Sequence, residues 1–132
     1  IVPEINKKDD ALWVLVPYDV RDVNNQDVPI SQIGQWLKAH LSIPTLGIIS
    51  IHTKIGLFAA VSIGPEALGR QSGEQAARFF HGETLDQIGI ENARYPKMEI
   101  NLTEAKRLKI KIPNELMGIA SFVESAGLKY GR

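Results

Sequence analysis

Apolar residues fall into short unbroken runs, separated by polar stretches in which they return every three or four positions. Residues 11–16 read Ala-Leu-Trp-Val-Leu-Val and stop at Pro17; residues 46–51 read Leu-Gly-Ile-Ile-Ser-Ile; residues 58–63 read Phe-Ala-Ala-Val-Ser-Ile. Runs this short and free of charge suit strands buried on both faces. Between the first two, Ser31 stands where it can cap a helix, and Ile33, Trp36, Leu37 and Leu41 share one face of it. Residues 18–29 are rich in Asp and Asn and read as a loop, and residues 52–56 read as a short hinge.

The third run leads into a longer helix. Gly64 permits a sharp turn, and Pro65 fits a first helical position, where no amide hydrogen is needed. Gly69, Gly73, Ala76, Ala77 and Phe80 form a stripe of mostly small residues, expected to lie close to a sheet. Glu66, Arg70, Glu74 and Arg78 alternate in sign every four residues. Such pairs add only about 0.2–0.5 kcal/mol each, so they mark a solvent face. Gly82 is placed to end the helix.

The last third changes texture. Residues 84–96 form a connector, residues 97–100 alternate as a short strand, and Asn101-Leu-Thr-Glu104 is a capping box opening a helix through Leu108. Ile112-Pro113 is expected to start a final helix with Leu116, Ile119, Ala120 and Val123 on one face, followed by a frayed tail over residues 127–132. Strands alternating with helices predict an α/β fold: three layers, a mainly parallel sheet with flanking helices.

Composition narrows the function classes. The chain has 132 residues, enough for one domain with a core, and its 44% hydrophobic and 23% charged residues are ordinary globular values. Fifteen basic and fifteen acidic residues leave no electrostatic footprint for nucleic acid. With no cysteine there are no disulfides, thiolate metal sites or cysteine nucleophiles. No apolar run has the length of a membrane span. Residue 1 is Ile, so a natural start upstream is expected to have been removed.

Parallel sheets bind ligands beyond the carboxyl ends of their strands. Those ends place Tyr18 and Asp19 after the first run, Ser50, His52 and Thr53 after the second, and Ser62 at the third. These six are the candidate ligand contacts. A carboxylate at Asp19 can pair with a ligand amine, and Tyr18 can stack or hydrogen-bond. His40 and His81 lie near helix C-termini, where an imidazole complements the dipole, and the histidines lack metal-ligand spacing. No metal and no cofactor is expected. Gly64-Pro-Glu-Ala-Leu-Gly-Arg-Gln71 misses a phosphate loop: Arg70 replaces the lysine, Gln71 the metal-binding hydroxyl, and Glu66 repels phosphate. Asn101-Leu-Thr103 also fits a glycosylation acceptor, but capping accounts for the same residues.

One ordered set of segments carries a resemblance. Leu68-Gly-Arg-Gln-Ser-Gly73 with its Ala-Ala helix and Gly82-Glu83, Met98-Glu-Ile-Asn-Leu102, Ala105-Lys-Arg-Leu-Lys-Ile110 and Ile112-Pro113 follow one another. Upstream stand Asp10-Ala-Leu-Trp-Val14 and Ile43-Pro-Thr-Leu-Gly47. From about Asp10 to Val123 the chain resembles the C-terminal portion of ABC-transporter substrate-binding proteins. That group has the type I periplasmic binding fold and includes members linked to tryptophan or other amino-acid uptake.

The resemblance implies that residues 1–132 are one lobe, with a βα core over 10–83 and closing strand and helices over 97–125. The missing N-terminal lobe would supply the other wall of a cleft holding a small-molecule solute. ABC permease subunits would be the partners, in a periplasmic or other extracytoplasmic setting, and no enzymatic activity is expected. In isolation the closing elements are expected to repack or swap between copies, giving a homodimer of the fragment. Ile48 and Ile49 depart from the small polar residues of the family at this point, which bears on ligand class. Three other readings are a periplasmic sensor of the same fold, a small α/β enzyme using Asp19 or His52 as base, and a response-regulator-like domain. The last would need a phospho-acceptor Asp at a strand end, where Ser50 and Ser62 stand.

Overall fold

The computed structural model describes residues 1–15 and 19–125. In chain order the elements are α1 (Val2–Lys8), β1 (Leu12–Val14), α2 (Ile30–His40), β2 (Thr45–Gly47), α3 (Ser50–Lys54), β3 (Ala59–Ile63), α4 (Pro65–Phe80), α5 (Leu85–Ile88), β4 (Pro96–Asn101), α6 (Leu102–Leu108), a 3-10 turn (Asn114–Leu116) and β5 (Ala120–Val123). The five strands form one sheet in the order β1-β2-β3-β4-β5. β1 with β2, β2 with β3, and β4 with β5 pair in parallel, in registers that set Trp13 beside Leu46, Leu46 beside Ala59, and Ile100 beside Phe122. The expected α/β fold with a mainly parallel sheet is present.

The chain divides into two compact units, one of Ile1–Val61 with Met98–Arg132 and a second of Ser62–Lys97. The first holds the apolar core: Leu41, Ile43, Ile55, Leu57, Ala59, Ala60, Ile100 and Ala105 are buried. α2 packs against the end of α3 through Gly34, where a Cβ would stand 2.4 Å from the Ile55 carbonyl oxygen. Any larger residue there would push the two helices apart.

Several elements depart from the sequence reading, each for a local reason. The run over 46–51 is strand only to Gly47; Ser50 opens α3, so the expected strand end and hinge are one short helix. Its first turn is closed by the Thr53 hydroxyl donating to the Ser50 carbonyl (2.8 Å). α2 starts at Ile30 after Pro29, and Ser31 makes no capping bond. Trp36, expected on the inner face of α2, is half exposed and stacks on His40 at 4.3 Å.

β1 is an edge strand rather than a buried one, with Trp13 and Leu15 exposed; in β3, Val61 and Ile63 face outward. The helix expected after Pro113 shrinks to the 3-10 turn, and residues 120–123 extend as β5. Gly118 interrupts the helical pattern, while Phe122 and Val123 suit a strand that can complete its hydrogen bonds on β4. The tail over 127–132 lies outside the described residues.

In the second unit, α4 runs over the expected residues, with Gly64 as N-cap and Pro65 at N1. Gly82, at φ +100°, donates to the Phe79 carbonyl while Glu83 donates to that of Arg78, the paired bonds of a Schellman motif. The small-residue stripe is open at its two glycines. A Cβ at Gly69 or Gly73 would meet nothing within 4 Å, and the buried residue of α4 is Gln71.

The Gln71 amide donates to the Asn92 carbonyl and accepts from the Arg94 amide, both at 2.9 Å, tying residues 92–94 along the helix. Arg78 adds ion pairs to Glu83 (2.7 Å) and Glu91 (2.8 Å), and Arg94 pairs with Glu74 (3.1 Å) and Glu91. Glu74 and Arg78, expected to pair along the helix, instead hold the connector. Within that connector, Thr84 and Gln87 form a capping box that starts α5.

Candidate functional site

The carboxyl ends of β1 and β2 lie in the first unit and carry most of the candidate contacts. Beyond β1, Asp19 is exposed and takes a left-handed φ of 62°, while Tyr18 lies outside the described residues. The loop that follows is ordered by its own side chains. Asp22 Oδ1 accepts from the amides of Asn24 (2.8 Å) and Gln26 (2.9 Å), and Arg21 pairs with Asp27 (3.4 Å) across a short antiparallel bridge. Its carboxylates, Asp22 and Asp27, are thus occupied in shaping the loop. Asp19 stands just before it.

Beyond β2 the chain turns at Ile48 and Ile49 into α3. Ser50, at the start of the helix, is half-buried, whereas His52 and Thr53 are fully enclosed at 0% exposure. The sequence places both at a strand end in reach of a ligand or solvent; the structure places them inside. Helical geometry is the reason. Two and three residues after Ser50, the side chains turn back toward the sheet, and Gly47 leaves the space that the His52 ring fills. A Cβ at Gly47 would come within 2.4 Å of His52 Nδ1.

His52 Nδ1 accepts from the Ile48 amide at 3.3 Å, so the neutral ring carries its proton on Nε2, which has no hydrogen-bond partner among the described residues. Burial holds the His52 pKa below the ordinary histidine value. The imidazole therefore stays neutral and pins the turn over 48–49. Among the described residues neither ring nitrogen is hydrogen-bonded to a serine hydroxyl or a carboxylate, the partners a catalytic imidazole would need.

Thr53 leads to a polar cluster that sequence reasoning missed. Its hydroxyl lies 3.1 Å from Glu99 Oε2, and its carbonyl accepts from Asn101 Nδ2 at 2.9 Å. Asn101 Nδ2 also donates to Ser125 Oγ (2.6 Å), and Asn101 Oδ1 caps α6 by accepting from the Glu104 amide (3.2 Å). The Asn101 backbone amide donates to the Phe58 carbonyl (2.8 Å). One buried asparagine thus joins α3, α6, the approach to β3 and the segment after β5.

The capping box revealed only one of these bonds. Glu99 sits at a polar position of an alternating strand, which ordinarily faces water, yet it is buried. Glu104, also buried, pairs with Arg107, which donates to the Leu41 carbonyl as well. Ser62, the penultimate residue of β3, is buried. Among the described residues no cluster of three or more His, Asp or Glu could hold a metal, and no helix is long and apolar enough to cross a membrane.

The structure is similar to a ligand-free, open substrate-binding protein with adhesive properties from Clostridium difficile (TM-score 0.69, 20% identity, 94% of this chain and 39% of that one). It is also similar to an ABC domain in complex with L-Trp from Streptococcus pneumonia (TM-score 0.60, 20% identity, 92% of this chain and 40% of that one). A conserved domain protein from Vibrio cholerae gives a TM-score of 0.58 at 18% identity, over 92% of this chain and 38% of the other. These likenesses bear on the fold, and the chain spans about two-fifths of each of those lengths. No curated protein matches. The family model for ABC transporter substrate binding protein matches residues 1–123, nearly all of the sequence, and the chain belongs to that family.

Proposed function

We propose that this chain is one lobe of a solute-binding protein serving an ABC importer, and that it supplies one wall of the solute site. The observation that carries the reading is the family match over residues 1–123, joined to polar and half-buried residues at the carboxyl ends of β1 and β2. The chain's share of its structural neighbours supports a partner lobe elsewhere in the parent protein. Asp19, Ser50 and Tyr18 are assigned direct contact. His52, Thr53 and Ser62 are assigned a supporting role, because enclosed side chains act on a ligand through the loops they hold.

The proposed solute class is a free amino acid. The exposed Asp19 carboxylate suits an α-ammonium group, and one structural neighbour was solved with L-Trp. A permease is the partner that follows, in the extracytoplasmic setting usual for this family.

Calorimetry on the full-length protein against the twenty L-amino acids and a panel of other small solutes tests the reading. At least one solute should bind saturably, and Asp19→Ala should weaken it by about tenfold or more, the loss of a charge-assisted hydrogen bond. Absence of heat across the panel, or an Asp19→Ala protein that binds as well as its parent, would refute it.

A further inference from the structure

In the first unit, well apart in sequence from the assigned contacts at Asp19 and Ser50, the segment Ile110 to Leu116 arches over one face of the sheet and leaves a cavity of about 450 Å³. The sheet contributes Trp13, Leu46, Ala59, Val61, Met98 and Ile100, and Phe58 adds a further apolar side chain. Register explains the composition. Trp13, Leu46 and Ala59 lie side by side on neighbouring strands and so share a face, and Val61 follows Ala59 by one strand period. Ala59 at the middle of that face is too small to reach the arch, and that leaves the room.

The walls are apolar, with Lys111 as the one charged residue among them. Lys111 is exposed and has no carboxylate partner among the described residues. Trp13 presents much of its indole to solvent although it lines the cavity. The volume falls within the roughly 300–1,000 Å³ of small-molecule sites.

We propose that this cavity is a second ligand site, for a small aromatic organic anion whose ring lies among Trp13, Leu46 and Met98 and whose charge faces Lys111. Water against these walls finds no hydrogen-bond partner on the protein, so an apolar ring gains by displacing it. Aromatic carbon is the natural occupant. Lys111, exposed to solvent, is the one charged residue of the lining able to favour an anion over a neutral or cationic molecule of the same shape. The proposal does not rest on the solute reading above, so either can fail without the other.

Two fluorescent probes of similar shape test the proposal: anionic 8-anilinonaphthalene-1-sulfonate and neutral N-phenyl-1-naphthylamine. Both should bind saturably at one site per chain, with energy transfer from tryptophan that falls in Trp13→Phe, where Trp36 remains as the more distant donor. Lys111→Gln should weaken the sulfonate by about two- to fivefold, as expected for one exposed charge pair, and leave the naphthylamine unchanged. Ala59→Leu fills the floor and Leu116→Trp fills the arch. Either should abolish binding of both probes in protein whose circular dichroism is that of the parent, and Leu116→Trp serves if Ala59→Leu does not fold.

Three results would overturn the proposal. One is the absence of saturable binding. The second is binding that survives filling in a folded variant, or that is lost instead on Phe79→Ala in the separate groove between α4 and α5. The third is a sulfonate affinity indifferent to Lys111→Gln.

Discussion

Replacing Gly47 with alanine tests the inward packing of α3 more directly than any change at the surface. The added methyl would lie 2.4 Å from His52 Nδ1, 2.5 Å from His52 Cβ and 2.7 Å from Cγ. A clash with the far end of a flexible side chain is relieved by a rotamer change. Here the obstacle includes the Cβ, which moves only with the α3 backbone. That backbone is held by the Ile49 and Ile51 carbonyls, which accept from the amides of His52 and Ile55 at 3.0 Å each.

Overpacking of this kind costs about 1–3 kcal/mol. Displacing His52 also breaks its bond to the Ile48 amide, adding about 1 kcal/mol. The expected loss is about 2–4 kcal/mol, measured by urea unfolding followed by far-ultraviolet circular dichroism. A background substitution isolates the cause. In a His52→Gly protein, the cost of Gly47→Ala should fall below about 1 kcal/mol, because the obstructing Cβ is gone. In a His52→Ala protein that Cβ remains, and most of the cost should persist. A Gly47→Ala protein within about 0.5 kcal/mol of its parent, the range of an unstrained substitution, would refute the reasoning. So would a cost that His52→Gly leaves unchanged.

Three further outcomes follow from the same contacts. His52 is buried neutral, so the unfolded chain binds a proton more readily than the folded one; stability should be unaffected above the ordinary histidine pKa of 6.5 and should fall as pH drops below it. Unfolding free energies at pH 7.5 and 5.5 should show this slope in the parent and a smaller one in His52→Asn. Asn101→Ala removes the cap of α6 and both Nδ2 bonds from a buried site, and should cost about 2–4 kcal/mol by denaturant unfolding. Asn101→Asp should keep the cap while leaving the Thr53 carbonyl unpaired. Gln71→Ala should raise hydrogen exchange at the Arg94 amide, which loses its acceptor, while the amides of β2 and β3 keep their protection.

What the sequence made legible was the part governed by short-range chemistry. Gly64-Pro65, the Gly82 terminus and the Asn101 cap each depend on residues within one turn, and all stand where the pattern places them. The strand runs were legible as strands but not in their burial. Apolarity states that a residue tolerates enclosure, not that something encloses it, and Trp13 and Val61 remain exposed.

α3 was illegible because Leu-Gly-Ile-Ile-Ser-Ile reads as well for a strand as for a strand and turn. What ends β2 is the room Gly47 leaves for the His52 ring, a contact between side chains rather than a propensity. β5 was misread for the opposite reason. Leu116, Ile119, Ala120 and Val123 do fit a helical face, but the partner that decides the matter is β4, about twenty residues away. The small stripe of α4 reads as a packing surface because small residues permit close approach, and a Cβ at Gly69 or Gly73 would meet nothing within 4 Å.

The enclosure of His52 and Thr53 changes what mutagenesis at the proposed solute site can mean. Both residues hold the turn over 48–50 from beneath, His52 through the Ile48 amide and Thr53 through the Ser50 carbonyl. Removing either leaves the ligand's own contacts chemically intact but frees the loop that presents Ser50. A solute bound by that loop should lose affinity through slower or less complete ordering, so enthalpy and entropy should shift together more than they do in Ser50→Ala. Asp19 belongs to a different loop, whose order comes from Asp22 and the Arg21–Asp27 pair. Asp19→Ala and His52→Ala should therefore be additive in binding free energy within about 0.5 kcal/mol if the two loops act independently. A coupling well above that, measured by a double-mutant cycle in calorimetry, would show that Asp19 and the turn over 48–50 order as one unit.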